Sequence, residues 1–96
     1  MGKVYVGQSK LKINVNLEQD VTGATVQIYY IKPSNVTDFF TATIDDAVNG
    51  LVSYDIADET TFDEVGTWTF YSKIVFSDLK VSYGEPFNLL ISPLGT

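Results

Sequence analysis

Hydrophobic and polar residues alternate with period two along almost the whole chain, the pattern of strands that bury one face. In residues 11–17, Leu11, Ile13, Val15 and Leu17 interleave with Lys12, Asn14 and Asn16. Residues 24–31 place Ala24, Val26, Ile28 and Tyr30 on one face and Thr25, Gln27, Tyr29 and Ile31 on the other. Phe40, Ala42 and Ile44 mark the inner face of a third run, and Val52, Tyr54 and Ile56 that of a fourth. The longest run opens at Gly66, with Trp68, Phe70, Ser72, Ile74 and Phe76 facing one way and Thr67, Thr69, Tyr71, Lys73 and Val75 the other. Residues 1–6 alternate as a short first strand. Residues 80–83 and 87–91 form a last one, broken or bulged at Gly84-Glu85-Pro86 because proline cannot donate to a ladder.

Between these runs lie turn signals. Residues 18–23 are polar and end in glycine, Lys32-Pro33-Ser34-Asn35 stops one strand, and Asn49-Gly50 predicts a hairpin. Only residues 57–65 lack alternation, and there Asp58 is placed to cap a single helical turn. Strands at this spacing predict one all-β domain over residues 1–96, an immunoglobulin-like β-sandwich of about seven antiparallel strands with Trp68 as a core pin.

Composition narrows what such a sandwich does. Cysteine and histidine are absent, and all six cations are lysine. No disulfide, no Cys- or His-ligated metal and no Ser-His-Asp or Cys nucleophile is therefore available. With net charge -6 and no arginine, a duplex-DNA reader is excluded too, since phosphate and guanine contacts favour Arg on a basic face. No segment approaches the ~20 apolar residues of a membrane helix. The chain reads as a non-enzyme without a cofactor, made in the cytoplasm of the cell that produces it.

Residues 45–64 hold seven carboxylates (Asp45, Asp46, Asp55, Asp58, Glu59, Asp63 and Glu64) and no lysine. Asp45, Asp46 and Asn49 are the candidate oxygen ligands for a hard cation such as Ca²⁺, although the spacing is not that of an EF-hand. A solvated loop is the simpler reading. A third is charge polarity, an acidic loop end that orients the molecule against a lysine-bearing neighbour. Paired carboxylates of the glycosidase kind find no support in these loops.

Tyr29, Phe39 and Tyr71 fall out of phase with the core positions and are candidates for an interface, with Tyr5 and Tyr83 near sheet ends. Exposed rings serve protein contacts and sugar stacking alike, and also pair across strands. Lys3, Lys10 and Lys12 resemble edge protection near the N-terminal strands. The uncharged last strand makes Leu90 a fourth interface candidate, its outer side expected to meet another subunit.

The order of these signals resembles a known family. Leu17, Val21-Thr22-Gly23-Ala24-Thr25-Val26, Lys32-Pro33-Ser34, Thr41-Ala42-Thr43-Ile44, Asn49-Gly50-Leu51-Val52-Ser53-Tyr54 and Asp63-Glu64-Val65-Gly66-Thr67-Trp68-Thr69-Phe70 together are similar to small immunoglobulin-like domains of tailed-bacteriophage virion proteins. They are especially similar to the N-terminal domain of the phage baseplate upper protein family, over roughly residues 4 to 91. The resemblance implies a virion structural part with no catalytic residues: a head decoration, a tail or baseplate component, or a fibre-docking subunit. Its partners would be other virion proteins or further copies of itself. A carbohydrate-binding or adhesin-type module that contacts host glycans is the alternative.

Overall fold

The computed structural model describes residues 3–96; Met1 and Gly2, at the head of the first expected strand, lie outside the described residues. The chain forms β1 (Val4–Tyr5), β2 (Lys12–Asn16), β3 (Thr25–Ile31), β4 (Thr37–Thr41), β5 (Thr43–Asp46), β6 (Leu51–Asp55), β7 (Gly66–Val75), β8 (Val81–Tyr83) and β9 (Phe87–Ser92). These are the expected runs with two of them divided, one at Ala42 and one at Gly84-Glu85-Pro86. The larger sheet has the order β1-β9-β7-β3-β4, with β8 also paired to β7, and the smaller is β2-β6-β5. It is an all-β, immunoglobulin-like sandwich without a disulfide.

One pairing departs from the expected antiparallel arrangement. β1 runs parallel to β9, Val4 beside Ile91 and Tyr5 beside Ser92. Nothing local in sequence announces a contact between the two ends of a chain.

The division at Ala42 is where the chain changes sheet. The Ala42 N–H still donates to the Val26 carbonyl at 2.9 Å, in the larger sheet, while Thr43 already pairs with Ser53 in the smaller one. The Asn49-Gly50 signal does close the β5–β6 hairpin. Gly50 sits at φ 70°, and its bare Cα packs against the Gln19 backbone where any side chain would collide. Its carbonyl accepts from Leu17 N–H at 2.8 Å, tying the hairpin to β2.

Two clusters fill the interior. Around Trp68 the core is aromatic: Tyr30, Phe40, Phe62 and Phe70 join Ile13, Ile28, Ile56 and Ile91, with Tyr54 and Phe87 at the margin. Around Ile74 it is aliphatic, from Leu17, Val21, Val26 and Val52. Trp68 is fully buried, and its indole N–H donates to the Glu64 carbonyl at 3.0 Å, so the polar edge is satisfied where the ring is dry.

The turn expected near Asp58 forms as a single hydrogen-bonded turn, Thr61 N–H donating to the Asp58 carbonyl at 3.3 Å, and does not continue into a helix. The Asp58 carboxylate accepts from the Thr60 N–H at 2.9 Å and from the Thr60 hydroxyl, a local turn that competes with a helix. The chain then runs on irregularly to bury Phe62 edge-on against Trp68, ring centroids 5.1 Å apart.

Candidate docking surface

Because successive side chains in a strand point to opposite faces, three aromatic dipeptides supply both sides of the larger sheet: Tyr29-Tyr30, Phe39-Phe40 and Phe70-Tyr71. Tyr30, Phe40 and Phe70 turn inward and are buried. Tyr29, Phe39 and Tyr71 turn outward. Register aligns them, Tyr29 facing Phe39 across β3–β4 and Tyr71 across β3–β7. Three of the four residues expected at an interface thus meet in one row.

The row is longer than the sequence suggested. Tyr83 on β8 lies opposite Lys73 and diagonal to Tyr71, with ring centroids 6.4 Å apart. Phe39, Tyr29, Tyr71 and Tyr83 therefore span β4, β3, β7 and β8 on the outer face. Phe39 is 43% and Tyr83 63% exposed, so the two ends of the row stand clear while its centre is half-buried. The sequence puts Tyr83 near a sheet end but not in the row, because its place is set by the turn of residues 77–80 and not by the alternation of its own short strand.

The rings are packed on one another. Tyr29 and Tyr71 are parallel to within 9° at 5.4 Å, which is offset stacking, and Tyr29 and Phe39 lie tilted at 5.2 Å. Ring faces in the middle of the row are spent on neighbouring rings, and edges and phenolic hydroxyls are left for solvent. Leu90, the fourth candidate, is 61% exposed on the same face but apart from the row. Its β7 partner is Thr67, four residues before Tyr71, about 13 Å along the strand at ~3.3 Å per residue.

The carboxylates of residues 45–64 do not form one acidic end. Asp45 and Asp46 close β5 at one end of the smaller sheet, and Asp55 closes β6 at the other, with Asp58, Glu59, Asp63 and Glu64 beyond it. At this second end they meet lysines: Lys12 is the register partner of Asp55, and the Lys32 ammonium lies 2.9 Å from Asp63 and 4.0 Å from Glu64. Lys32 also sits 5.5 Å over the Trp68 ring. Hydrogen bonding to Asp63 is the main cause that raises the Lys32 pKa. Folding thus divides the acidic stretch, because β6 carries it from one end of the smaller sheet to the other.

Of the candidate cation ligands, Asp46 and Asn49 are brought together, but onto each other. Asp46 accepts from the Asn49 backbone N–H at 3.3 Å and from its side-chain amide at 2.8 Å, as part of the hairpin turn. Asp45 sits at a register shift between Ile44 and Asp46. Among the described residues no group of three or more His, Cys, Asp or Glu side chains is placed to hold a metal ion. Asp20 and Asp58 have pKa values below the ordinary carboxylate range, chiefly through the side-chain hydroxyls of Thr22 and Thr60, and serve local turns.

No family model and no curated protein matches the sequence. Among solved structures, the crystal structure of CopC from Methylosinus trichosporium OB3b is similar over 100% of this chain and 89% of that one, with a TM-score of 0.58 and 12% identity. The likeness extends to the fold alone.

Proposed function

We propose that this protein is a non-enzymatic structural component of a tailed-bacteriophage virion, and that it acts by docking another virion protein on the outer face of its larger sheet. The observation that carries the proposal is the aromatic row across β4, β3, β7 and β8, exposed at both ends and followed along the same face by Leu90. Tyrosine and phenylalanine are enriched in the cores of protein interfaces, where an apolar body and a polar tip are both used. The phage-like order of turn signals supplies the context. Docking on such a face asks no chemistry of a chain without His, Cys or Arg.

Stacking of the central rings on one another favours protein over sugar. A glycan platform offers ring faces to the pyranose, and here Tyr29 and Tyr71 offer edges. Virions assembled with wild-type protein and with a Tyr29→Ser/Tyr71→Ser variant, and a third set with Leu90→Asp, test this directly. Mass spectrometry of purified particles is expected to find the wild type and to lose most of the double variant, with a smaller loss for Leu90→Asp. Absence of the wild type from particles would sink the proposal. So would full incorporation of a folded double variant, or saturable glycan binding that disappears with Tyr71→Ala.

A further inference from the structure

A sandwich with open sheets has strand edges to protect, and the edges here are not alike. β4 matches β2 in length and regularity, but its Phe39 N–H, which points to the free edge, donates to the Asp38 carboxylate at 2.8 Å, and β5 has a register shift at consecutive aspartates. The β9 edge is covered at Ile91 and Ser92 by the two residues of β1. β2 is a regular, uninterrupted five-residue edge strand, paired to β6 on one side and, among the described residues, to no strand on the other.

Its hydrogen-bonding phase is known from its flanks. Leu17 N–H donates to Gly50 and Ile56 N–H to the Leu11 carbonyl, so the odd-numbered residues of β2 bond inward to β6. The N–H and C=O groups of Lys12, Asn14 and Asn16 therefore point outward along the free edge. All three residues are exposed.

We propose that β2 pairs antiparallel with β2 of a second copy of this chain, about a two-fold axis at Asn14. This surface is separate from the aromatic row and does not depend on the docking proposal. In that register Asn14 faces Asn14, Lys12 faces Asn16 and Asn16 faces Lys12. Each is a pair of outward-pointing residues and exchanges two N–H···O bonds. It is the register with the longest overlap of β2 on itself, and the only one that aligns all three outward residues.

Charge selects the same register. Lys10, two residues before β2, and Glu18, in the left-handed turn two residues after it, are brought to the same end of the pairing on both sides of the axis, and neither forms an ion pair within its own chain among the described residues. A shift that set Lys12 against Lys12 would oppose like charges instead, which is unfavourable across strands. Lys12, read from sequence as edge protection, here excludes wrong registers while leaving the two-fold one open. The join would merge two three-stranded sheets into one continuous sheet.

Sedimentation of the full chain from about 10 μM to about 1 mM tests the dimer, a range that reaches down to weak association. The mass is expected to rise from 10.6 kDa toward twice that value. Lys10→Glu brings like charges together at both ends and is expected to weaken the dimer about tenfold, and the swap Lys10→Glu/Glu18→Lys to restore it. Asn14→Pro removes an outward N–H that the fold itself does not use and is expected to give a monomer with unchanged urea unfolding. A mass fixed at 10.6 kDa throughout would overturn the proposal. A dimer that survives both Lys10→Glu and Asn14→Pro, or one broken only by Tyr29→Ser/Tyr71→Ser, would overturn it equally.

Discussion

The two faces of the larger sheet are made from the same three aromatic dipeptides, yet they do different work. Inside, Phe40 stacks on Tyr54 of the smaller sheet at 4.2 Å, and Tyr30, Trp68, Phe70 and Phe87 continue the contact from strand to strand. Outside, Phe39, Tyr29, Tyr71 and Tyr83 repeat the geometry with no second sheet above them. The inner row is held by burial and the outer row by pairing alone. A sheet with apolar rows on both faces has the composition of one covered on both sides, as central sheets are. The isolated chain covers only one.

The adjacent residues Phe70 and Tyr71 give the sharpest way to break this comparison. Phe70→Ala empties a fully buried site and is expected to cost ~3–5 kcal/mol, a large part of the ~5–15 kcal/mol of a small domain. Tyr71→Ala removes ring contacts on the open face and is expected to cost about 1 kcal/mol. Urea unfolding midpoints measure both; equal losses would mean that the outer row is already covered in solution. A double-mutant cycle on Tyr29→Ala and Tyr71→Ala isolates the stacked pair, with an expected coupling of ~0.5–1.5 kcal/mol. Coupling near zero would dissolve the row into separate side chains.

Alkaline titration sharpens the contrast further, with the smallest effect. Burial is the main cause that raises the pKa of Tyr30, so the folded state favours the neutral phenol. The Lys32 ammonium is likewise favoured by folding, through Asp63. Both groups hold their protons longer folded than unfolded. Their stabilisation is complete at neutral pH and is lost as pH rises past about 10 and through the raised folded values. Melting temperature is expected to fall over that interval, and less steeply in Tyr30→Phe and in Lys32→Met. An unchanged slope in both variants would remove these groups as its cause.

Much of this architecture is legible in the sequence because alternation assigns each side chain to a face before any strand is paired. Trp68 in the core, the outward set of Tyr29, Phe39 and Tyr71, the Asn49-Gly50 hairpin and the break at Gly84 all follow from local pattern. What is not legible depends on register and on crossing between sheets. Tyr83 joins the row only through the length of a turn, and β1 meets β9 only through closure of the whole chain. The acidic stretch looks like one site because sequence does not show that β6 separates its halves. Asp58 caps a turn as its chemistry suggests, but the turn stops after one hydrogen bond because Phe62 is drawn into the core.

The parallel pairing of β1 with β9 also decides how the molecule responds to pulling. A load entering ahead of β1 and leaving after β9 draws two side-by-side parallel strands in opposite directions. The contacts between them, including Val6 N–H to the Ser92 carbonyl at 3.0 Å and the Tyr5 hydroxyl to the Thr96 carbonyl at 2.8 Å, then bear tension together and slide instead of opening one after another. Those few bonds, and not the aromatic interior, are the first resistance that such a force meets.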